Sequence, residues 1–163
     1  MARQGGKRVR RGRNGEGVAK SVDFGPLEQW VGFNLRMAQE AAFQAFSHLS
    51  REVGEKPGRF ATLTLIGRNG GISQTELGLA SGRDKSSVTP VVEDLVQRGL
   101  IKRARLARDR RAYRLHLTAS GKRTLALLTA CARRHERNLD RVIGARERRR
   151  FLAVLKKIAA GIG

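Results

Sequence analysis

Acidic residues are scarce in this sequence: 14 Asp and Glu stand against 34 Lys and Arg, for a formal charge of +20. So strong a field opposes compaction of the free chain and attracts polyanions, with nucleic acid first and an anionic membrane surface second. Cysteine is nearly absent, and the lone Cys131 excludes an internal disulfide. Its neighbours Leu125, Leu127, Leu128 and Ala132 mark it as a small buried residue, with a redox-sensing thiol as the sharper alternative. No apolar run reaches the length of a membrane span, and no apolar stretch near the start suits a secretory signal, so no membrane partner is expected. A cytoplasmic location is the expectation, although an Arg-rich, acid-poor start is also the composition of a transit peptide.

Enzyme signatures are missing as well. His48, His116 and His135 have no nucleophile or metal-ligand partners at sequence spacing, and no Gly-rich phosphate loop, HExxH or GxSxG occurs. The expectation is a protein that is not an enzyme, with no cofactor and no metal. His135 reads as a buried, hydrogen-bonded histidine.

What the sequence does contain falls into two parts. Residues 1–22 form a basic tail: Arg3, Lys7, Arg8, Arg10, Arg11, Arg13 and Lys20 against Glu16 give +6 over the first twenty residues. With five glycines and almost no apolar side chains, this stretch cannot offset its ordering entropy and is expected to be disordered. The other +14 belongs to residues 23–163, one domain by length.

That domain opens with a helix expected from Leu27 to Ser50 and bearing only Glu28, Arg36 and Glu40 as charges. One apolar stripe runs Val31, Leu35, Ala38, Ala42, Ala45, Leu49; a second runs Trp30, Phe33, Met37, Ala41 on another face. A helix apolar on two sides must be covered on two sides, and in so small a domain a second copy supplies part of the cover. The seam of Leu125, Leu128, Ala132, His135, Leu139 and Val142 repeats at threes and fours, and Phe151, Val154, Leu155 and Ile158 mark a final amphipathic helix.

Between these helices lie two short ones and a hairpin. Phe60, Leu63 and Ile66 mark a first helix from Pro57, Ser73 and Glu76 a capping box, and Ser81-Gly82 a stop. A third helix opens at DKSSVTPVVEDLVQRGLI, with Val88, Val91, Val92, Leu95 and Val96 inward; with its predecessor it makes a helix-turn-helix candidate. Lys85, Ser86, Ser87 and Thr89 are short hydrogen-bonding groups beside a cation, suited to a major groove and equally to an ordinary helix cap. Pro90 removes one helical N–H and is expected to bend the helix near its start. Strands are expected over roughly 100–106 and 112–117, joined by ARDRR, a basic hairpin able to clamp phosphate.

The order of a long apolar helix, a helix-turn-helix, LVQRGLIKR, a basic hairpin with Asp109-Arg110-Arg111 and then Leu117-Thr118-Ala119-Ser120-Gly121 resembles the multiple antibiotic resistance regulator (MarR) family, over about residues 27–160. The resemblance implies a mainly α fold with a small β wing. It pairs a winged helix-turn-helix over 57–117 with an intertwined homodimer built from helices 27–52 and 118–160. It implies a DNA-binding transcription regulator, in the main reading a repressor released from an inverted-repeat operator by a small aromatic acid or its coenzyme A thioester. A nucleoid-type structural protein without an effector is the alternative. The implied double-stranded DNA contacts are Ser73, Gln74, Lys85, Ser86, Ser87, Thr89, Arg105, Arg108, Asp109, Arg110 and Arg111. Arg111 would be the minor-groove arginine and Asp109 the carboxylate that holds its fork. Pro90 stands where family members often carry a longer polar or basic side chain. The implied effector contacts are Trp30, Phe33, Arg36, Met37 and Phe60, aromatic surface beside one cation, with an Arg36–Glu40 pair as the ordinary alternative.

Overall fold

The computed structural model describes residues 22–82, 84–106 and 109–161, and describes only the backbone at Lys85, Leu106 and 109–112. The basic tail, Arg108 and the side chains of Lys85, Asp109, Arg110 and Arg111 lie outside the described residues. A 3₁₀ turn, Gly25–Gln29, leads into α1 (Val31–Arg51), followed by α2 (Gly58–Arg68), α3 (Gln74–Ser81) and α4 (Lys85–Gln97). The antiparallel strands β1 (Ile101–Leu106) and β2 (Asp109–Leu117) come next, then α5 (Ala119–Ile143) and α6 (Arg148–Gly161).

The first helix does not run unbroken from Leu27. Pro26 starts a separate 3₁₀ turn, and Trp30 is extended (ψ 125°) between that turn and α1. Asn34 stabilises the break, because its side-chain amide donates to the carbonyls of Glu28 (2.9 Å) and Trp30 (2.8 Å). Both carbonyls lie at the junction of the two helical segments, where the Trp30 carbonyl also accepts from the Asn34 N–H at 3.1 Å. The break also brings Phe24 back against Phe33, with ring centroids 5.6 Å apart.

The hydrophobic core lies in the middle of the chain. Leu63 and Ile66 of α2, Leu77 of α3, Val88, Val92 and Leu95 of α4, Ile101 and Leu115 of the strands, and Leu128 of α5 pack as one cluster. Side chains alternate along the second strand, with Leu115 buried and Arg114 and His116 on its wetter side. The strand begins earlier than expected, however: Leu106 pairs with Asp109, so Asp109-Arg110-Arg111 belongs to β2 and not to the connecting loop. The register shifts between Arg105 and Leu106, from the Arg105–Tyr113 pair to the Leu106–Asp109 pair, so residues 110–112 fall between successive partners.

Outside this lobe the chain leaves apolar side chains uncovered. Trp30 (58% exposed), Val31, Met37 and Phe43 of the first helical region, Leu127 and Val142 of α5, and Phe151, Leu152 and Val154 of α6 all face out. They lie on the first helical region, read as apolar on two sides, and on the two C-terminal helices, the elements from which a homodimer is expected. No helix among the described residues is long and apolar enough to cross a membrane.

Candidate nucleic-acid interface and effector cleft

Two local devices set the helix-turn-helix. At the start of α3 the Ser73 hydroxyl accepts from the Glu76 N–H (3.1 Å) while the Glu76 carboxylate accepts from the Ser73 N–H (2.7 Å). The Ser73 backbone N–H holds the Glu76 carboxyl below its usual range, helped by the Ser73 hydroxyl and then by Arg114. At the turn, Gly82 takes the left-handed conformation (φ +63°) that side chains disfavour, and Asp84 then caps α4 by accepting from the Ser87 N–H at 2.8 Å.

The residues expected to contact DNA are placed unequally. The hydroxyls of Ser86 and Ser87 are exposed, but both donate to Asp84, at 2.5 and 3.2 Å, and together with the Ser87 N–H they lower its carboxyl pKa, Ser86 contributing most. Each hydroxyl therefore keeps acceptor lone pairs for a base amino group and gives a phosphate no proton unless the cap opens. Gln74 and Thr89 meet each other, the amide donating to the Thr89 hydroxyl at 2.7 Å, which ties α3 to α4. Ser73 is engaged in its capping box. Pro90 lies inside α4, which continues as helix from Lys85 to Gln97.

On the wing, Arg105 is exposed and lies 5.8 Å over the ring of its cross-strand partner Tyr113. Tyr113 was absent from the expected set; cross-strand pairing is the signal that selects it. Arg114 anchors the base of the wing through the Glu76 carboxylate (2.9 Å) and the Gly71 carbonyl (3.2 Å).

The expected effector residues do not converge within one chain. Phe33 packs on Phe24, while exposed Arg36 donates to Met37 Sδ at 3.8 Å; Glu40 accepts from Gln44, so the Arg36–Glu40 pair is not formed. Thirteen residues further along α1, about 20 Å at the helical rise, Phe46 meets Phe60 edge-on at 5.6 Å. Phe60 alone of the five lines a cleft between α2 and α5. That cleft has two parts. One, of about 520 Å³, is walled by Phe60, Thr129, Ala132, Arg133 and Arg137 together with Glu136 and Asp140, whose carboxylates accept from Arg148; the other, of about 530 Å³, by Phe60, Thr64, Arg68, Leu117, Lys122 and Arg133. Four cations thus border an aromatic and aliphatic floor. Sequence reasoning passed over Arg133 and Arg137, although a spacing of four puts both on one face of α5.

Behind this floor, His135 stands 5.6 Å from the Phe46 ring. Its Nδ1 is buried with no hydrogen-bond partner, so the expected hydrogen-bonded histidine is not what the structure contains. Cys131 is buried and donates to the Leu49 carbonyl at 3.4 Å, joining α5 to α1. No three His, Cys, Asp or Glu residues gather as a metal site among the described residues.

Comparison with known proteins bears on both surfaces. The MarR family model matches residues 56–113, which span α2 to the second strand. A candidate transcriptional regulatory protein for the hcr operon of Thauera aromatica is 32% identical over 152 residues, 93% of this chain and 92% of the relative. The HTH-type transcriptional repressor NicR of Pseudomonas putida is 30% identical over 132 residues, 81% of this chain and 84% of that protein. Two solved structures of the transcriptional repressor CouR superpose with TM-scores of 0.79, covering 86% of this chain and 99% of that one. One, 31% identical, is bound to p-coumaroyl-CoA; the other, 33% identical, to a 23-mer DNA duplex.

Proposed function

The chain belongs to the MarR family of transcription regulators, and we propose that it is a dimeric repressor whose hold on an inverted-repeat operator is released by an aromatic acid or its coenzyme A thioester. The observation that carries this reading is the cleft between α2 and α5. Its Phe60, Leu117 and Leu125 floor suits an aromatic ring, and Arg68, Lys122, Arg133 and Arg137 at its margins suit carboxylate and phosphate groups, the acids Glu136 and Asp140 on the same margin being paired with Arg148. A nucleoid-type protein that merely coats DNA has no use for such a cleft, and the likeness to a repressor solved with p-coumaroyl-CoA supports the same assignment.

On the DNA side, α4 is the element that would enter the major groove, and Arg105 and Arg111 on the wing would reach the flanking minor groove. Two wings and two α4 helices need a twofold dimer, for which the uncovered faces of α1, α5 and α6 supply the apolar surface. A ligand releases the operator only if it binds the DNA-incompetent arrangement more tightly than the competent one.

The test is a fluorescence-anisotropy titration of the operator complex with p-coumarate and with p-coumaroyl-CoA, beside calorimetry on the free protein. Trp30 emission is a poor reporter, because Trp30 lies at the far end of α1 from Phe60 in the same chain. Loss of operator affinity with either compound supports the proposal. Binding of neither, together with equal affinity for all DNA sequences, returns the nucleoid-type reading.

A further inference from the structure

One face of α2 carries a buried cation that serves neither the cleft nor the DNA surface. Arg59 is 3% exposed, and its guanidinium is fully engaged. Nε and Nη2 donate to the two Asp94 carboxylate oxygens at 2.9 and 3.1 Å, and Nη1 donates to Glu55 at 2.6 Å. Arg98 approaches the same two carboxylates, at 3.5 Å from Asp94 and 4.0 Å from Glu55. Asp94 belongs to α4 and Glu55 to the connection from α1 to α2, so one side chain holds three segments together.

Burying the Arg59 guanidinium costs desolvation that offsets most of its attraction to Glu55 and the half-exposed Asp94, so the contacts contribute little net stability. What a two-pronged Arg–carboxylate contact does supply is geometry, since two planar groups joined by paired hydrogen bonds fix both separation and orientation. Here the fixed quantity is the pose of α4 against α2. Phe60, the very next residue, faces a different way and lines both parts of the cleft. The cleft wall and the clamp on the recognition helix are therefore consecutive residues of one helix.

We propose that Arg59 is a positioning residue that locks α4 to α2, so that filling the cleft against Phe60 is felt at the DNA through the Arg59–Asp94 contact. This rests on the operator and cleft reading above.

The experiment uses the full chain, duplexes that the unaltered protein selects from a random-sequence pool, and a scrambled duplex as reference. Thr129→Trp places an indole in the cleft beside Phe60 as a built-in occupant, and it is combined with Arg59→Gln and, separately, with the milder Asp94→Asn. Thr129→Trp is expected to weaken binding to the selected duplex roughly tenfold in the unaltered background and less than about threefold in either clamp background, the range of ordinary coupling between sites. Binding to the scrambled duplex should change by less than about twofold throughout, which a general loss of folding would not allow. An equal effect of Thr129→Trp in all three backgrounds, or none in the unaltered one, overturns transmission through Arg59. Failure of the unaltered protein to select any sequence is a separate result that overturns the operator reading and the clamp with it. If Arg59→Gln melts below the assay temperature, Asp94→Asn completes the cycle, because Asp94 is half exposed and Asn keeps an acceptor.

Discussion

Gly121, in the first turn of α5, lies so close to the Leu100 backbone that a Cβ there would fall 1.9 Å from the Leu100 carbonyl oxygen. Thr118 brings the two together, its N–H donating to that carbonyl at 3.0 Å and its hydroxyl accepting from the Gly121 N–H, also at 3.0 Å. Replacing a helical glycine with alanine ordinarily stabilises by about 1 kcal/mol. At Gly121 the sign reverses, because the obstruction is backbone and cannot swing aside. Gly121→Ala should lower stability by about 1–3 kcal/mol or more, read as a drop in denaturation midpoint. An unchanged midpoint would refute the close approach.

The wing assignment predicts a split between specific and nonspecific binding. Arg111→Ala should cost about 1–3 kcal/mol on the operator, and Asp109→Ala a smaller amount through misorientation of Arg111. Removing residues 1–20 should mainly weaken nonspecific binding and flatten its salt dependence. Footprinting should find half-site centres about one helical turn, roughly 10 base pairs, apart. Equal affinity of the parent and Arg111→Ala across a salt series would remove Arg111 from the interface.

Cleft cations should matter for the effector and not for DNA alone. Arg133→Ala is expected to weaken binding of p-coumaroyl-CoA by roughly ten- to a hundredfold, as one charge-assisted contact is worth about 1.5–3 kcal/mol. Its operator affinity without ligand should stay within about twofold, and calorimetry with matched anisotropy separates the two. A loss confined to operator affinity would place Arg133 on the DNA surface instead.

Acid should loosen the DNA-binding lobe through its caps. Hydrogen bonds made in the fold hold the Asp84 and Glu76 carboxyls below their usual values. The unfolded chain therefore takes up their protons first as pH falls. The stabilisation is complete above the unfolded values, near pH 4–5, and is lost as pH drops through the lower folded ones. Thermal midpoints should be level from about pH 8 to 5 and fall below about pH 4, and Asp84→Asn should shrink the fall. A midpoint that rises on acidification would contradict the capping geometry.

Dimerisation through the uncovered helices predicts that Val154→Glu on α6 shifts sedimentation towards monomer at micromolar concentration and weakens the operator complex along with it. A stable folded monomer of the unaltered chain would dispose of the twofold reading.

Much of this fold was legible because its signals are local. The Ser73–Glu76 box, the Gly82 stop and the inward valines of α4 each need only three or four neighbouring residues to act. The misplaced features depend on remote partners. Asp109-Arg110-Arg111 reads as a loop until the pairing of Leu106 with Asp109 draws it into β2. Trp30 reads as helical until Asn34 takes up the carbonyls left by the 3₁₀ turn. The cleft escaped for the same reason: Phe60 and Arg68 come from α2, but Lys122, Arg133 and Arg137 come from α5, and no linear spacing relates them. Arg59 looked like one more basic residue in a basic chain, and only its burial beside Asp94 and Glu55 distinguishes it.

The carboxylate of Glu76 serves two masters, closing the capping box of α3 and holding Arg114 at the root of the wing. Beside it the Gly71 N–H donates to the Leu115 carbonyl, and the Leu115 N–H donates to that of Ile72. Neither α3 nor the base of the hairpin can therefore open without tearing the other's bonds. In native-state hydrogen exchange the two should behave as one cooperative unit, with the amides of Leu77 and Leu115 exchanging at a common opening free energy and Glu76→Gln lowering both together.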